Sequence, residues 1–479
     1  MNKSPILAGR VHFIGIGGAG MSAVARVLLG QQLEVSGSDA QQSAGLRSLA
    51  ALGAEIMVGH HGSNVAGAST VVVSSAIRED NPELVAARAA GITVLHRSEA
   101  LAAAMTGRSV VAVAGTHGKT TTTAMITVML QAAALDPSFA IGGDVAALGV
   151  NAHWGTGDTF VAEADESDGS FLNYRPQLAV VTNVEADHLD HYGTAAAVDA
   201  VFDRFVELLP ADGVLVACAD DGGAAALAGR HGRGPRLRTY GYAENADVRI
   251  SATRAVGSTS ASLLSFSIDG LDASQDLQLS VPGQHNILNA AAAFCVALEL
   301  GVDPAVAAAG LASFTGAARR FEARGEAAGV RVFDDYAHHP TEVAAALTAA
   351  RTVARGHRVH VLFQPHLYSR TREFAAAFGR SLGLADQVTI LPIYAAREDP
   401  VPGVSSALIA AHLQCPGGYL EDTEEALRLL VSRVEPGDII LTVGAGDVTH
   451  LAGRLVSLLQ DTPAPSGSGT APESTGGPA

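Results

Sequence analysis

Gly115-Thr116-His117-Gly118-Lys119-Thr120 carries the most specific chemistry in the chain. An apolar run of strand length, 110–114, ends at Gly115, and a helix-like segment is expected over 123–131. Backbone N–H groups of such a loop, with a helix N-terminus behind it, form a site for phosphate oxygens. In that setting Lys119 reaches the terminal phosphates and the Thr120 hydroxyl coordinates Mg2+. The G-x-x-G-K-T spacing is shorter than the usual G-x-x-x-x-G-K-[ST].

Carboxylates follow. Residues 163–168 read Glu-Ala-Asp-Glu-Ser-Asp after a strand-like stretch. Glu163 and its neighbours suit Mg2+, which commonly takes one or two carboxylates plus phosphate oxygens; a solvated acidic turn is the plainer alternative. A second acidic run, 183–191, contains His188, a ligand for a second cation or a cap at a strand end. Asn286 and Asn289 lie one helical turn apart before an alanine-rich stretch, fit to bond an adenine edge or to cap the helix. Arg319 and Arg320 end a segment, where an arginine reaches a phosphate from the side or forms a surface ion pair. Asp335, Tyr336, His338 and His339 crowd one later stretch. Arg370 and Arg372, in another, are suited to clamp a carboxylate or phosphate.

Near the N-terminus, Gly15-Ile16-Gly17-Gly18-Ala19-Gly20 satisfies G-x-G-x-x-G, and Asp39 follows at the spacing of a ribose-binding acid. Three readings stay open: NAD, a non-redox diphosphate such as a UDP-sugar, or glycines that serve only tight strand–helix packing. Ser74, Ser75, His96 and Arg97 close later strands, at the edge where open α/β sheets bind ligands.

These groups need a scaffold of alternating elements. Strands are expected over 11–14, 33–35, 56–58, 71–74 and 93–95, with helices over 21–29, 45–52 and 82–90, a pattern that implies a parallel sheet. Alternation returns after residue 322, with strands over 330–333, 358–363, 388–392 and 439–443. The expected fold is α/β with three domains: a Rossmann-like domain over 1–107, a central P-loop ATPase-type domain over 108–322 and a C-terminal Rossmann-like domain over 323–460. Residues 461–479, rich in Pro, Gly, Ser, Thr and Ala, read as a disordered tail.

Composition narrows the class. Three cysteines with no metal-type spacing, in a chain of 479 residues, indicate a reducing compartment. No apolar run reaches bilayer length, and the first thirty residues read as a strand entering a domain rather than a signal peptide, so a cytoplasmic protein without a membrane partner is expected. A net charge of −17 argues against a nucleic-acid partner. Phosphates must then be bound locally, and with few lysines in the chain Lys119 stands out.

Together these stretches resemble the Mur ligases over nearly the whole chain apart from the tail. The carriers are GIGGAGM at 15–21, AGTHGKTTT at 114–122, EADESD at 163–168, NVEADHLDHYG at 183–193, GQHNILNA at 283–290, RRFE at 319–322, DDYAHHPTE at 334–342 and FQPHLYSRTREF at 363–374. The resemblance implies that ATP phosphorylates the lactyl carboxylate of UDP-N-acetylmuramate and that the amine of L-alanine then displaces the phosphate, in peptidoglycan precursor synthesis. It implies UDP-substrate contacts at Gly15, Gly17, Gly18, Gly20, Asp39, Ser74, Ser75, His96 and Arg97. It implies ATP contacts at Gly115, Thr116, His117, Gly118, Lys119, Thr120, Thr121, His285, Asn286, Asn289, Arg320 and Asp335. Thr120, Glu163 and His188 are the implied metal ligands, and Tyr336, His338 and Arg370 the implied amino-acid contacts. Lys119, Arg320, His338 and Arg370 are the implied catalytic groups. A monomer or weak homodimer is expected, with domain closure on substrate binding because groups from three domains must meet.

The chain also departs from the family pattern. Leu367 stands where many members carry arginine. No lysine lies between His188 and Pro210 to form the carbamate that several relatives use, which leaves Asp199, Asp203 or water as substitutes. Rival readings are a ligase that attaches a ready-made tripeptide to the same UDP-sugar, an NAD-dependent oxidoreductase, and a non-catalytic nucleotide-binding protein.

Overall fold

Residues 7–461, apart from 144, 146, 233, 269 and 397, are described by a computed structural model; positions 462–479 of the expected tail lie outside the described residues. The chain divides into two compact units between Ala318 and Arg319.

The first unit contains two sheets. The N-terminal sheet is all parallel, in spatial order Glu55–Val58, Glu34–Asp39, Arg10–Ile14, Thr70–Val73, Thr93–His96. Strand order reverses beside Arg10–Ile14, which opens a crevice at the C-terminal strand ends. The strand expected over 33–35 is longer, because parallel pairing with Arg10–Ile14 on one side and Glu55–Val58 on the other carries it on to Asp39 through Ser-Gly-Ser. The glycine-rich turn follows Ile14 and leads into helix Ala19–Gly30.

The second sheet is built around strand Ser109–Ala114, flanked by Leu178–Val181 and Thr159–Glu163, all parallel. It extends to ten strands, ending at one side in the antiparallel hairpins Val248–Val256, Thr259–Ile268 and Leu271–Leu279. Every residue of 110–114 is buried, as a central parallel strand covered on both faces requires. The following helix, Lys119–Ala132, begins four residues earlier than the sequence pattern suggests. Four β-branched threonines disfavour a helix start, but here they are absorbed locally. Thr123 Oγ1 donates to Lys119 O at 2.8 Å, Thr127 Oγ1 donates to Thr123 O at 2.8 Å, and Thr121, Thr122 and Thr123 are buried.

The second unit holds a six-stranded sheet, in order Glu322–Ala327, Val330–Asp335, Ile439–Val443, Val359–Phe363, Gln387–Ile390, Gly417–Tyr419, with only the first pair antiparallel. Arg319–Glu322, expected to close the central segment, pack with this unit instead. Tyr336 N donates to Arg319 O at 2.7 Å, and Glu322 opens the edge strand.

One buried group in the N-terminal sheet is exceptional. Glu83, in the first turn of helix Pro82–Ala89, is fully buried, and among the described residues it has no lysine or arginine partner. It accepts from Ser38 Oγ at 2.6 Å, from Asn64 Nδ2 at 2.6 Å and from His61 N at 3.2 Å, and it lies 3.3 Å from His12 Nε2. Burial pushes its carboxyl up, but bonds to His12, Ser38 and Asn64 outweigh that and hold it at about 2, below the usual 4.5. A depressed carboxylate adds stability that is present above the unfolded value and lost as pH falls through the folded one. The shift corresponds to about 3 kcal/mol. Urea unfolding of Glu83→Gln should therefore differ most from the unmodified chain at pH 6, with the gap closing toward pH 2; parallel pH curves would contradict this.

Candidate active site

The phosphate loop is stapled to the neighbouring strand end. Asn183 accepts from His117 N at 2.7 Å and donates to His117 O at 3.1 Å, while Thr182 Oγ1 donates to the same carbonyl at 2.6 Å. Thr116 Oγ1 accepts from Glu185 N at 2.9 Å. Two glycines are required by this packing. At Gly115, with φ +135°, a Cβ would lie 2.1 Å from Thr182 Oγ1; at Gly118, with φ +82°, it would lie 2.7 Å from Asn289 Oδ1. Positive φ at Gly118 turns the chain straight into the helix, so Lys119 and Thr120 occupy its first turn rather than the loop.

Lys119 folds back on this loop. Its Nζ donates to Gly115 O at 2.6 Å, to Thr116 O at 3.1 Å and to Glu166 at 2.9 Å. Burial opposes its charge, but Glu166 and Asp165 prevail and hold the ammonium above its ordinary value. Glu166 is 2% exposed and also lies 3.6 Å from His188 Nε2. Thr120 Oγ1 donates to Glu163 at 3.0 Å, and Gly142 N donates to the other oxygen of Glu163 at 2.7 Å. Burial pushes the Glu163 carboxyl up despite these bonds and Lys119. Asp165 behaves oppositely: burial raises it, but Lys119 and Arg97 hold it at about 2.

Thr120 thus pairs with Glu163, while Lys119 and His188 meet at Glu166, which sequence reasoning did not single out. Its signal was present in the acidic run at 163–168, though nothing there distinguished the acid that would face the lysine. Thr121 is buried in the same helix. Among the residues implied for adenine, Asn289 faces Gly118, Asn286 donates to Pro282 O at 2.7 Å as a local cap, and His285 lies in the first turn of helix Gln284–Glu299. Asp203 is engaged elsewhere, 2.9 Å from Arg230 Nε and 2.8 Å from His231 Nε2, which removes it as a free stand-in for a carbamate; Asp199 is exposed.

At the first glycine loop, Asp39 accepts from Gly17 N at 2.9 Å and from Ala40 N at 2.8 Å, so it orders the loop's own backbone. Gly15 and Ile16 both donate to Ser38 O, and Gly18 precedes the helix that Ala19 and Gly20 open. Ser74 and Ser75 follow the strand Thr70–Val73, with Ser74 O closing a turn to Ile77 N at 3.0 Å. His96 caps helix Arg97–Ala104, and Arg97 Nη2 donates to Asp165 at 2.8 Å, linking the first sheet to the acids beside the phosphate loop.

In the second unit two guanidinium groups lie over the ring of Tyr336, Arg319 at 4.7 Å and Arg320 at 5.4 Å. Glu342 ties the cluster together, 3.2 Å from Arg320 Nη1 and 3.3 Å from His338 Nδ1. Arg370 is buried in the first turn of helix Tyr368–Leu382. Asp335, implied to touch the nucleotide, has both oxygens bonded to main chain, by Phe321 N and Ala337 N at 2.8 Å, and burial lifts its carboxyl to about 6. Glu342 is the residue missed here. Glu342, in the first turn of helix Pro340–Ala354, reaches back past the cap to accept from His338 N at 3.0 Å.

Two glycine turns at parallel strand ends, one of them carrying a lysine against a buried carboxylate and a hydroxyl against a half-buried one, define a nucleotide-dependent α/β enzyme. Family models described as "Mur ligase family, catalytic domain", "Mur ligase middle domain" and "Mur ligase, glutamate ligase domain" match residues 10–109, 113–297 and 319–446. The chain belongs to the Mur ligase family. It is 60% identical over 460 residues to the UDP-N-acetylmuramate–L-alanine ligase of Renibacterium salmoninarum, covering 95% of this chain and 97% of that protein. Among solved structures, the UDP-N-acetylmuramate-alanine ligase of Thermotoga maritima superposes with a TM-score of 0.78 at 29% identity, over 94% of this chain and 99% of that one. A murein peptide ligase from Psychrobacter arcticus superposes with a TM-score of 0.71 at 26% identity, over 95% and 100%. Among the described residues no helix is long and apolar enough to cross a membrane.

Proposed function

We propose that the chain joins L-alanine to the lactyl carboxylate of UDP-N-acetylmuramate, using ATP and an acyl-phosphate intermediate, in peptidoglycan precursor synthesis. The observation that carries this reading is Lys119 and Thr120 at the head of one helix, facing buried Glu166 and half-buried Glu163 respectively. The name and 60% identity of the Renibacterium relative favour alanine as the amine.

A carboxylate that attacks a γ-phosphate meets strong charge repulsion. Lys119 would leave the loop carbonyls for the phosphate oxygens, and Arg320 would add a second positive charge. Thr120 and Glu163 would hold one Mg2+ and His188 a second: hydroxyl and carboxylate oxygens are hard donors, and Thr120 Oγ1 already lies 3.0 Å from Glu163. When bound, the metal supplies charge neutralisation at the phosphates. Arg370 would hold the alanine carboxylate and His338 would take a proton from its ammonium. The free amine then attacks the acyl carbon, the tetrahedral intermediate collapses, the carbon–oxygen bond to phosphate breaks, and amide, phosphate and ADP result. The glycine turn at 15–20 would take the UDP diphosphate, with Ser74, Ser75, His96 and Arg97 around it. The same reading makes the chain a cytoplasmic monomer or weak homodimer with neither nucleic-acid nor membrane partners, in keeping with its net charge of −17.

Phosphate release from ATP, measured with UDP-N-acetylmuramate and a panel of amines, tests the reading. L-alanine should give the highest kcat/KM, and a tripeptide of the murein type should give little. Preference for the tripeptide would instead assign the chain to the peptide-ligase branch represented by the Psychrobacter structure.

A further inference from the structure

Glu83 is absent from every role described above, yet it is bonded to the strand that carries the glycine turn, to its neighbour Glu34–Asp39 and to the turn after Glu55–Val58. Ser38 connects it to the glycine turn: its carbonyl accepts from Gly15 N at 2.8 Å and Ile16 N at 3.0 Å, while its hydroxyl donates to Glu83 at 2.6 Å. Asn64 and the backbone of His61 connect it to the turn that follows strand Glu55–Val58. Asn64 Nδ2 also donates to Gly59 O at 3.1 Å, and Gly59 N donates to Asp39 O at 2.8 Å, which closes the circuit on the residue that orders Gly17. His60 Nδ1 lies 3.0 Å from Ser38 Oγ and 3.6 Å from Glu83. Beneath this polar set lie the apolar side chains Ile14, Val65, Val71, Leu84 and Ala87.

A fully buried carboxylate without a lysine or arginine is an expensive way to fill space, since well-packed apolar groups are often neutral or better. What it does supply is directional bonds to the two neighbouring strands Arg10–Ile14 and Glu34–Asp39 and to the 59–64 turn, all on one side of the order reversal. We propose that Glu83 is a positioning residue that fixes the glycine turn and the 59–64 turn relative to each other, so that together they receive the uridine diphosphate portion of the substrate. This rests on the UDP reading of residues 15–20.

Titration calorimetry of the full chain with UDP, and separately with ADP, tests it. Glu83→Gln should weaken UDP by about tenfold, the loss expected for a charge-assisted bond network, while ADP stays within about twofold. In phosphate-release kinetics the same variant should raise KM for UDP-N-acetylmuramate with kcat little changed, and Glu83→Asp should recover part of the loss. Asn64→Ala cuts one tether without stranding a whole buried site, and it decides the matter if Glu83→Gln fails to fold. UDP affinity within about twofold of the unmodified chain in the folded variants, or an equal loss of UDP and ADP, overturns the inference. If the unmodified chain binds no UDP, the assignment of the glycine turn itself falls first, a result distinct from either.

Discussion

Lys119→Met should lower ATP-driven phosphate release by about 10³-fold or more, in line with the removal of a charge that acts only as the γ-phosphate transfers. The chain has only two lysines, Lys3 and Lys119. The substitution also has a structural cost. Lys119 is the only lysine or arginine in contact with Glu166 among the described residues, and breaking a buried pair from one side costs about 3–5 kcal/mol because the other charge is stranded. Inactivity of the single variant is therefore ambiguous. Adding Glu166→Gln should return most of the lost thermal stability and none of the phosphate release. If the double variant recovers activity along with its melting temperature, the role of Lys119 is to fold the loop and not to carry the phosphate.

Glu163→Gln should have the next largest effect, about 10²–10³-fold in kcat, with the Mg2+ concentration for half-maximal rate raised at least about tenfold. Its stability signature is the reverse of that at Lys119. The carboxylate of Glu163 is already disfavoured by burial, so removing its charge relieves a penalty while the bond from Gly142 N is weakened, and the two effects roughly offset. Without Mg2+ the melting temperature should barely move. With Mg2+ and ADP present, the unmodified chain should gain stability by ligand linkage and the variant should not. Equal stabilisation of both would show that the metal is held elsewhere.

The pattern of what the sequence discloses follows from how locally each feature is specified. The phosphate loop was legible because Gly115, Gly118, Lys119 and Thr120 lie within six residues and their spacing encodes the turn. The start of the helix was not, since four threonines disfavour it and only their tertiary burial and back-bonded hydroxyls reverse that preference. Asp39 was legible as a partner of the glycine turn, but its contact is to the backbone of Gly17 rather than outward. Glu166, Glu342 and Glu83 were hidden for one shared reason. Each acid is defined by a partner distant in the chain or by an approach that a one-dimensional pattern does not encode, such as Lys119 at a separation of 47 residues or Ser38 at 45.

Asn289 faces Gly118 from a helix that ends at Glu299, and the loop-bearing strand is completed by pairing with Leu178–Val181. During synthesis, then, the phosphate loop emerges long before its last wall. At 5–20 residues per second the ribosome needs roughly 10–40 s to travel from Lys119 to the end of that helix. Over that interval ATP should give the nascent chain no shelter. Products truncated before Gly283 should resist a purified protease no better with ATP than without it, whereas the full chain should gain resistance when ATP is added.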